Sequence, residues 1–181
     1  MEWPRHCFKA YDIRGFSGSE IDDNFAYRLG QAYAEYLGCK TIAVGRDIRD
    51  SSPILAKSLI EGLTTSGVKV LDIGIVSTGC LYHACWTLQV DGGIMITASH
   101  LPMPTHNGFK MCRGNLPLAG EEIQELKDVF LQGNFREGTG KIVDTPHLET
   151  YLDAIIESTG PIARRVKVAV DCGNAVPGPA M

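Results

Sequence analysis

Short apolar runs of β character alternate with amphipathic helical segments along most of this chain, and that alternation admits few folds other than a layered α/β domain. Residues 8–14 read as a first strand closed by Gly15. Over 22–37, Phe25, Leu29, Ala32, Tyr33, Tyr36 and Leu37 recur at helical spacing, with Asp22 placed to cap the helix and Gly38 to stop it. Thr41 to Gly45 is a strand, and Ser51-Ser52-Pro53 supplies a cap and a first-turn proline for a helix that ends near Ser66 and Gly67. A strand at 68–73, a short helix near 78–88 and a strand at 93–98 introduced by Gly92-Gly93 follow.

The second half continues the pattern more loosely. A strand from Phe109 to Cys112 turns through Arg113-Gly114-Asn115 into a helix over about 119–131, carried by Ile123, Leu126, Val129 and Phe130. After a glycine-rich stretch at 133–140, Thr145-Pro146 opens a helix with Leu148, Tyr151, Leu152, Ile155 and Ile156 on one face. Ser158 to Arg165 reads as a linker and Val166 to Asp171 as a new strand. A parallel-type strand has to be covered on both faces, and nothing after Asp171 offers that cover. The expected organisation is one domain over 1–144, then a connecting helix, a linker and the truncated start of a second domain over 145–181.

Composition removes whole classes of function. The 181 residues are 44% hydrophobic and 21% charged, the balance of a globular protein. With 17 basic against 21 acidic residues and no cationic run, nucleic acid is not an expected partner. No stretch approaches the roughly 18 apolar residues of a membrane span, and the first residues lack a signal-peptide pattern, so no membrane partner and a cytoplasmic location are expected. Cysteines 7, 39, 80, 85, 112 and 172 include no C-x-x-C pair, and most sit in apolar runs as buried thiols do.

The chemistry concentrates where the apolar run ending at Ile96 gives way to Thr97-Ala98-Ser99-His100-Leu101-Pro102-Met103-Pro104-Thr105-His106-Asn107-Gly108. This polar segment with two prolines is expected to be neither helix nor sheet. It follows the carboxyl end of a strand, where α/β sheets gather ligands. A serine hydrolase would need G-x-S-x-G, and the frame here is Thr97-Ala98-Ser99-His100-Leu101. A plain turn, in which Ser99 and Asn107 merely satisfy backbone groups, is the structural alternative. Lys110 just past the loop and Arg14 at the end of the first strand favour phosphate chemistry. A phosphoserine carries a charge of about −1.5 to −2 and attracts such cations.

Other candidates carry less. Gly45 to Ser52, ahead of a helix N-terminus, could bind an anion through free N–H groups but reads rather as a structural loop with Asp47 and Arg49 bracing turns. Cys80, His83 and Cys85 are spaced by three and five residues, which cannot bring all three to one helix face around zinc. His106 and His147 read as loop and helix-surface residues, and Trp3 and Trp86 as packing residues. Asp22-Asp23 and Glu121-Glu122 complement helix dipoles.

Three segments in order then become specific: Phe8-Lys9-Ala10-Tyr11-Asp12-Ile13-Arg14-Gly15, Val44-Gly45-Arg46-Asp47-Ile48-Arg49-Asp50-Ser51-Ser52, and Gly92-Gly93-Ile94-Met95-Ile96-Thr97-Ala98-Ser99-His100 with Asn107-Gly108-Phe109-Lys110. Together they resemble the α-D-phosphohexomutase family of phosphomannomutases and phosphoglucomutases, and Val166 to Asn174 is similar to the opening of that family's second domain. The resemblance implies a three-layer α/β domain with a mixed, mostly parallel sheet between helices, plus the first strand of a second similar domain. It implies an isomerase that moves a phosphoryl group between O1 and O6 of a hexose through a phosphoserine and a hexose bisphosphate. Ser99 matches the phosphoserine, Arg14 and Lys110 the groups that stabilise the transferring phosphoryl, and His100 a group that orients or exchanges a proton with the sugar hydroxyl. Mg²⁺ would bind Ser99 through its phosphate.

The sequence also departs from the family pattern. Leu101 stands where asparagine is usual, Asn107 lies eight rather than seven residues after the serine, and Gly79 and Ala175 replace an expected proline and glycine. The family's Asp-Gly-Asp-Gly-Asp-Arg metal loop and its sugar-reading and phosphate-clamping loops are absent from these 181 residues. The chain alone is therefore expected to have no useful mutase activity and to require the remaining domains. The alternative is a non-catalytic domain that keeps the fold and binds phosphate or sugar phosphate.

Overall fold

The computed structural model describes residues 2–161, 163–173 and 175–178. A 3-10 turn at Arg5–Cys7 precedes β1 (Ile13–Phe16), α1 (Asp23–Leu37), β2 (Thr41–Arg46), α2 (Ser52–Thr65), β3 (Lys69–Ile75), α3 (Thr78–Thr87) and β4 (Gly92–Ile96). Then come β5 (His106–Arg113), β6 (Leu116–Pro117), α4 (Glu121–Gln132), β7 (Lys141–Asp144) and α5 (Leu148–Thr159). The strands form one mixed sheet in the order β1-β5-β4-β2-β3-β7, with β6 on β5. β4, β2, β3 and β7 are parallel neighbours, while β5 runs antiparallel to β4, β1 and β6.

Strand alternation sends successive side chains to opposite faces and so builds two cores. Ile42, Val44, Ile94, Ile96, Phe109 and Met111 pack beneath α1, α2 and α4, against Phe25, Leu29, Leu59, Leu63, Leu126 and Phe130. Ala43, Ile73, Met95 and Cys112 pack on the other face against Cys80, Leu81, Ala84 and Cys85 of α3, with Tyr151 of α5 at the margin. This is the expected three-layer α/β sandwich. α1 and α2 come close because Gly62 has no side chain: a Cβ there would lie 2.0 Å from the carbonyl oxygen of Tyr27.

Helix signals act locally and succeed. Asp22 accepts a 2.7 Å bond from the Phe25 N–H, and Gly38 leaves α1 in the left-handed conformation. Glu121 and Glu122 occupy the first turn of α4. Ser51 precedes α2 as expected but makes no capping bond; its hydroxyl instead accepts from the Asn107 side chain at 2.8 Å. A tertiary partner has displaced the local one.

Several expectations need correction. β1 begins at Ile13, preceded by the 3-10 turn, because Phe8 makes only one isolated bridge, to Ile13. β5 begins at His106, inside the segment expected to be irregular, because β1 continues the ladder through Gly15 opposite Asn107 and Phe16 opposite His106. β7, a short edge strand with Ile142 exposed, lies where no strand was expected. Val166 to Asp171 is not a strand. Among the described residues it has no ladder partner, and Val166, Val168 and Val170 are exposed. Ladder hydrogen bonds need a neighbouring strand, whatever the local preference for β. Trp3 packs on Phe25 and Phe130, but Trp86 is exposed. Among the described residues no helix is long and apolar enough to cross a membrane.

Candidate active site

The segment after β4 is a braced loop. Thr97 donates its N–H to Gly108 at 2.9 Å, and the Thr97 hydroxyl accepts from the Ser99 N–H at 3.0 Å. Ser99 has φ of 56°, making it the single non-glycine residue with positive φ among those described. That conformation costs an L-residue about 1–2 kcal/mol and persists where surroundings over-determine it. The surroundings here centre on Arg49, which is 2% exposed. Its guanidinium donates to the carbonyls of Ser99 (2.7 Å), Leu101 (2.9 Å) and His106 (3.1 Å), and its Nε to Asp47 at 3.0 Å. Asp47 is fixed in turn by the Ser52 hydroxyl and the Arg49 N–H.

Arg49 and Asp47 do brace their own turn, as their sequence suggests, and Arg49 also braces the Ser99 loop some fifty residues away. The effect is to present the Ser99 and His100 side chains outward. Both residues are exposed, and among the described residues neither the Ser99 hydroxyl nor the His100 ring makes a hydrogen bond. They line one hollow with Asp47, Arg49, Thr78 and Thr97. Asn107, the second residue of β5, is fully buried; its amide donates to Ser51 and Ser52, and its oxygen accepts from the Gly108 N–H.

The two cations meet on a carboxylate that sequence reasoning missed. Asp12 is 1% exposed. Arg14 Nε donates to both its oxygens at 2.8 and 2.7 Å, and the Lys110 amine to Oδ2 at 3.0 Å. The Asp12 bond, chief among the causes, raises the Arg14 pKa further above its already high ordinary value. Tyr11 spreads its ring beneath both cations, 5.0 Å from Arg14 and 5.3 Å from Lys110. Asp12 and Arg14 stand two apart on an extended chain, and that spacing was the available signal.

Register explains the glycine between Asn107 and Lys110. Gly108 lies directly opposite Arg14. A Cβ on it would fall 2.2 Å from the Ile13 carbonyl oxygen and 3.1 Å from Arg14 Cγ. The loop re-enters β5 through a turn in which Thr105 and His106 both donate to the Pro102 carbonyl. Lys110 still reaches Asp12. No hydrogen bond joins Ser99 or His100 to Arg14 or Lys110 among the described residues. Leu101 and His106 of the loop do line a second hollow together with Arg14 and Tyr11.

A family model described as phosphoglucomutase/phosphomannomutase, alpha/beta/alpha domain I, matches residues 5–137. The chain belongs to this family. It is 39% identical over 189 residues to a phosphomannomutase of Vibrio cholerae, covering 95% of this chain and 39% of that protein. It is 41% identical over 179 residues to a phosphoglucomutase of Neisseria gonorrhoeae, covering 96% of this chain and 38% of that one. A crystal structure of a phosphoglucomutase/phosphomannomutase family protein from Burkholderia thailandensis superimposes with a TM-score of 0.91 at 34% identity, over 98% of this chain and 41% of that chain. The chain thus spans 38–39% of the length of these two curated relatives.

Within this phosphohexomutase domain, two histidines sit differently from expectation. His106 is a strand residue whose ring lies 4.6 Å from that of Phe16. His147 is 4% exposed rather than on a helix surface, and its Nε2 lies 2.9 Å from Nδ1 of His83. His83 is thereby engaged outside any Cys80–Cys85 cluster. Burial first, then the nearby His83, lowers the His147 pKa.

Proposed function

We propose that this chain is the phosphoserine domain of a phosphohexomutase that interconverts hexose 1-phosphate and hexose 6-phosphate. The observation that carries the reading is the exposed Ser99 on a loop braced by Arg49, whose Leu101 lines a hollow with Arg14, while Arg14 and Lys110 are both held on Asp12. The Ser99 oxygen–phosphorus bond breaks as a sugar hydroxyl oxygen bonds to phosphorus. The hydroxyl proton passes to a base, the role the family resemblance gives to the exposed His100. The bisphosphate then returns its other phosphoryl group to Ser99. This chemistry depends on positioning and charge neutralisation, which fixed cations supply.

Residues 1–144 form the first domain in this reading, and 145–181 lead into the second. The partners are hexose phosphate, hexose bisphosphate and the remaining domains, and this chain alone is expected to turn over no substrate. The described residues do not by themselves fit a Mg²⁺ site at Ser99. Asp12 already holds two cations and Asp47 holds Arg49, so neither carboxylate is open to a hard ion. Ser99 would contribute its phosphate, and the carboxylates would come from the Asp-rich loop expected in the second domain. Six free cysteines support a reducing compartment such as the cytoplasm.

Intact mass with peptide mapping of the natively purified protein tests the reading. One phosphate on Ser99 is expected, together with loss of turnover in Ser99→Ala of the complete protein. Turnover retained in that variant overturns the assignment. An unmodified Ser99 in a protein of 19.7 kDa would favour a phosphate-binding domain instead.

A further inference from the structure

We propose that His6, Cys7 and Glu20 form a binding site for a zinc-class divalent cation at the edge of the hollow that Arg14, Tyr11, Leu101 and His106 also line. Their ligand atoms, an imidazole nitrogen, a sulfur and a carboxylate oxygen, all lie within 4.8 Å of one another. His6 Nε2 is 2.6 Å from Glu20 Oε1, and Cys7 Sγ is 3.9 Å from Glu20 Oε2. Tetrahedral zinc with bonds of about 2.0–2.3 Å sets its ligands roughly 3.4–3.6 Å apart. The sulfur–oxygen pair is close to that spacing already, and the exposed His6 ring can withdraw the fraction of an ångström that remains.

Charge and space both favour the site. Binding releases the Cys7 thiol proton; the resulting thiolate and the Glu20 carboxylate neutralise a divalent ion, and the thiolate with a neutral imidazole favours zinc over magnesium. Gly15 keeps the space open beside the donors. A Cβ there would lie 2.6 Å from Cys7 Sγ and 2.8 Å from Glu20 Oε2. His6 and Glu20 line that hollow together with Lys9 and Phe16, so two of the three donors are reached from solvent while Cys7 is buried beneath them. The ion would tie the turn before β1 to the loop after it, two segments now joined through the Glu20 side chain.

Titration of the full chain with Co²⁺ tests the site. A saturable sulfur-to-cobalt charge-transfer absorption at a single equivalent is expected, bleached by Zn²⁺ and absent in Cys7→Ser. His6→Gln, at an exposed position, should weaken Co²⁺ binding more than about tenfold while leaving metal-free melting unchanged, and so keeps the test open if Cys7→Ser fails to fold. Absence of a stoichiometric absorption, or binding unchanged in His6→Gln or Glu20→Gln, would overturn the proposal.

Discussion

The guanidinium of Arg49 donates to the backbone carbonyl of Ser99 across 2.7 Å. A side chain in the loop between β2 and α2 thereby sets the conformation of a residue past the end of β4, and Asp47 keeps that side chain in place. Replacing Arg49 with alanine should destabilise the domain by about 3–5 kcal/mol, because it strands a partly buried Asp47 as well as freeing the loop. Denaturant unfolding and faster amide exchange over residues 97–106 would register it; an unchanged midpoint would remove Arg49 from its bracing role.

Asp12 is argued to act through Arg14 and Lys110 as a positioning residue. Asp12→Asn in the complete enzyme keeps the shape but weakens the hold on both cations, and kcat should fall by about 100-fold. A structural role alone would lower the melting temperature and leave kcat per folded molecule intact.

Ser99 allows strain and chemistry to be separated. Ser99→Gly adopts φ near 56° freely and should stabilise the fold by about 0.5–1 kcal/mol, net of the larger unfolded-state entropy of glycine. Ser99→Ala should bring no such gain. Both should be free of phosphate by mass spectrometry, and a glycine variant that melts no higher than the alanine variant would contradict the strain.

The contact between α3 and α5 should depend on pH. Burial and His83 depress the folded-state pKa of His147 below the usual value of about 6.5, so the unfolded chain binds the proton more readily. The stability linked to this group is present above about pH 6.5 and is lost as pH falls toward the folded-state pKa. The protection of the α5 amides relative to intrinsic exchange should fall as pH is lowered below about 6.5, and His147→Gln should flatten that change. Identical pH profiles in the two proteins would count against it.

The candidate site divides along the same line as the helix caps. Ser99, His100, Arg14 and Lys110 stand out in the sequence because a polar serine loop follows an apolar strand and cations stand nearby, all features of a short stretch of chain. Asp12 escaped notice because a single aspartate just ahead of a strand looks like any other until an antiparallel neighbour brings Lys110 onto it. His147 misled for the same reason: its burial comes from α3, far away in sequence.

Local patterns determined what local physics controls: the alternation of strands and helices, the Asp22 cap, the Gly38 stop and the identity of the serine loop. Tertiary structure decided what requires two distant segments at once. It extended β5 back to His106 by supplying β1 as a partner, denied Val166 to Asp171 a partner and so a strand, turned Ser51 from cap to acceptor, and assigned Arg49 to Ser99 and Asp12 to two cations. Ladders and buried ion pairs complete themselves only between segments, so their partners are fixed by topology rather than by any stretch read alone.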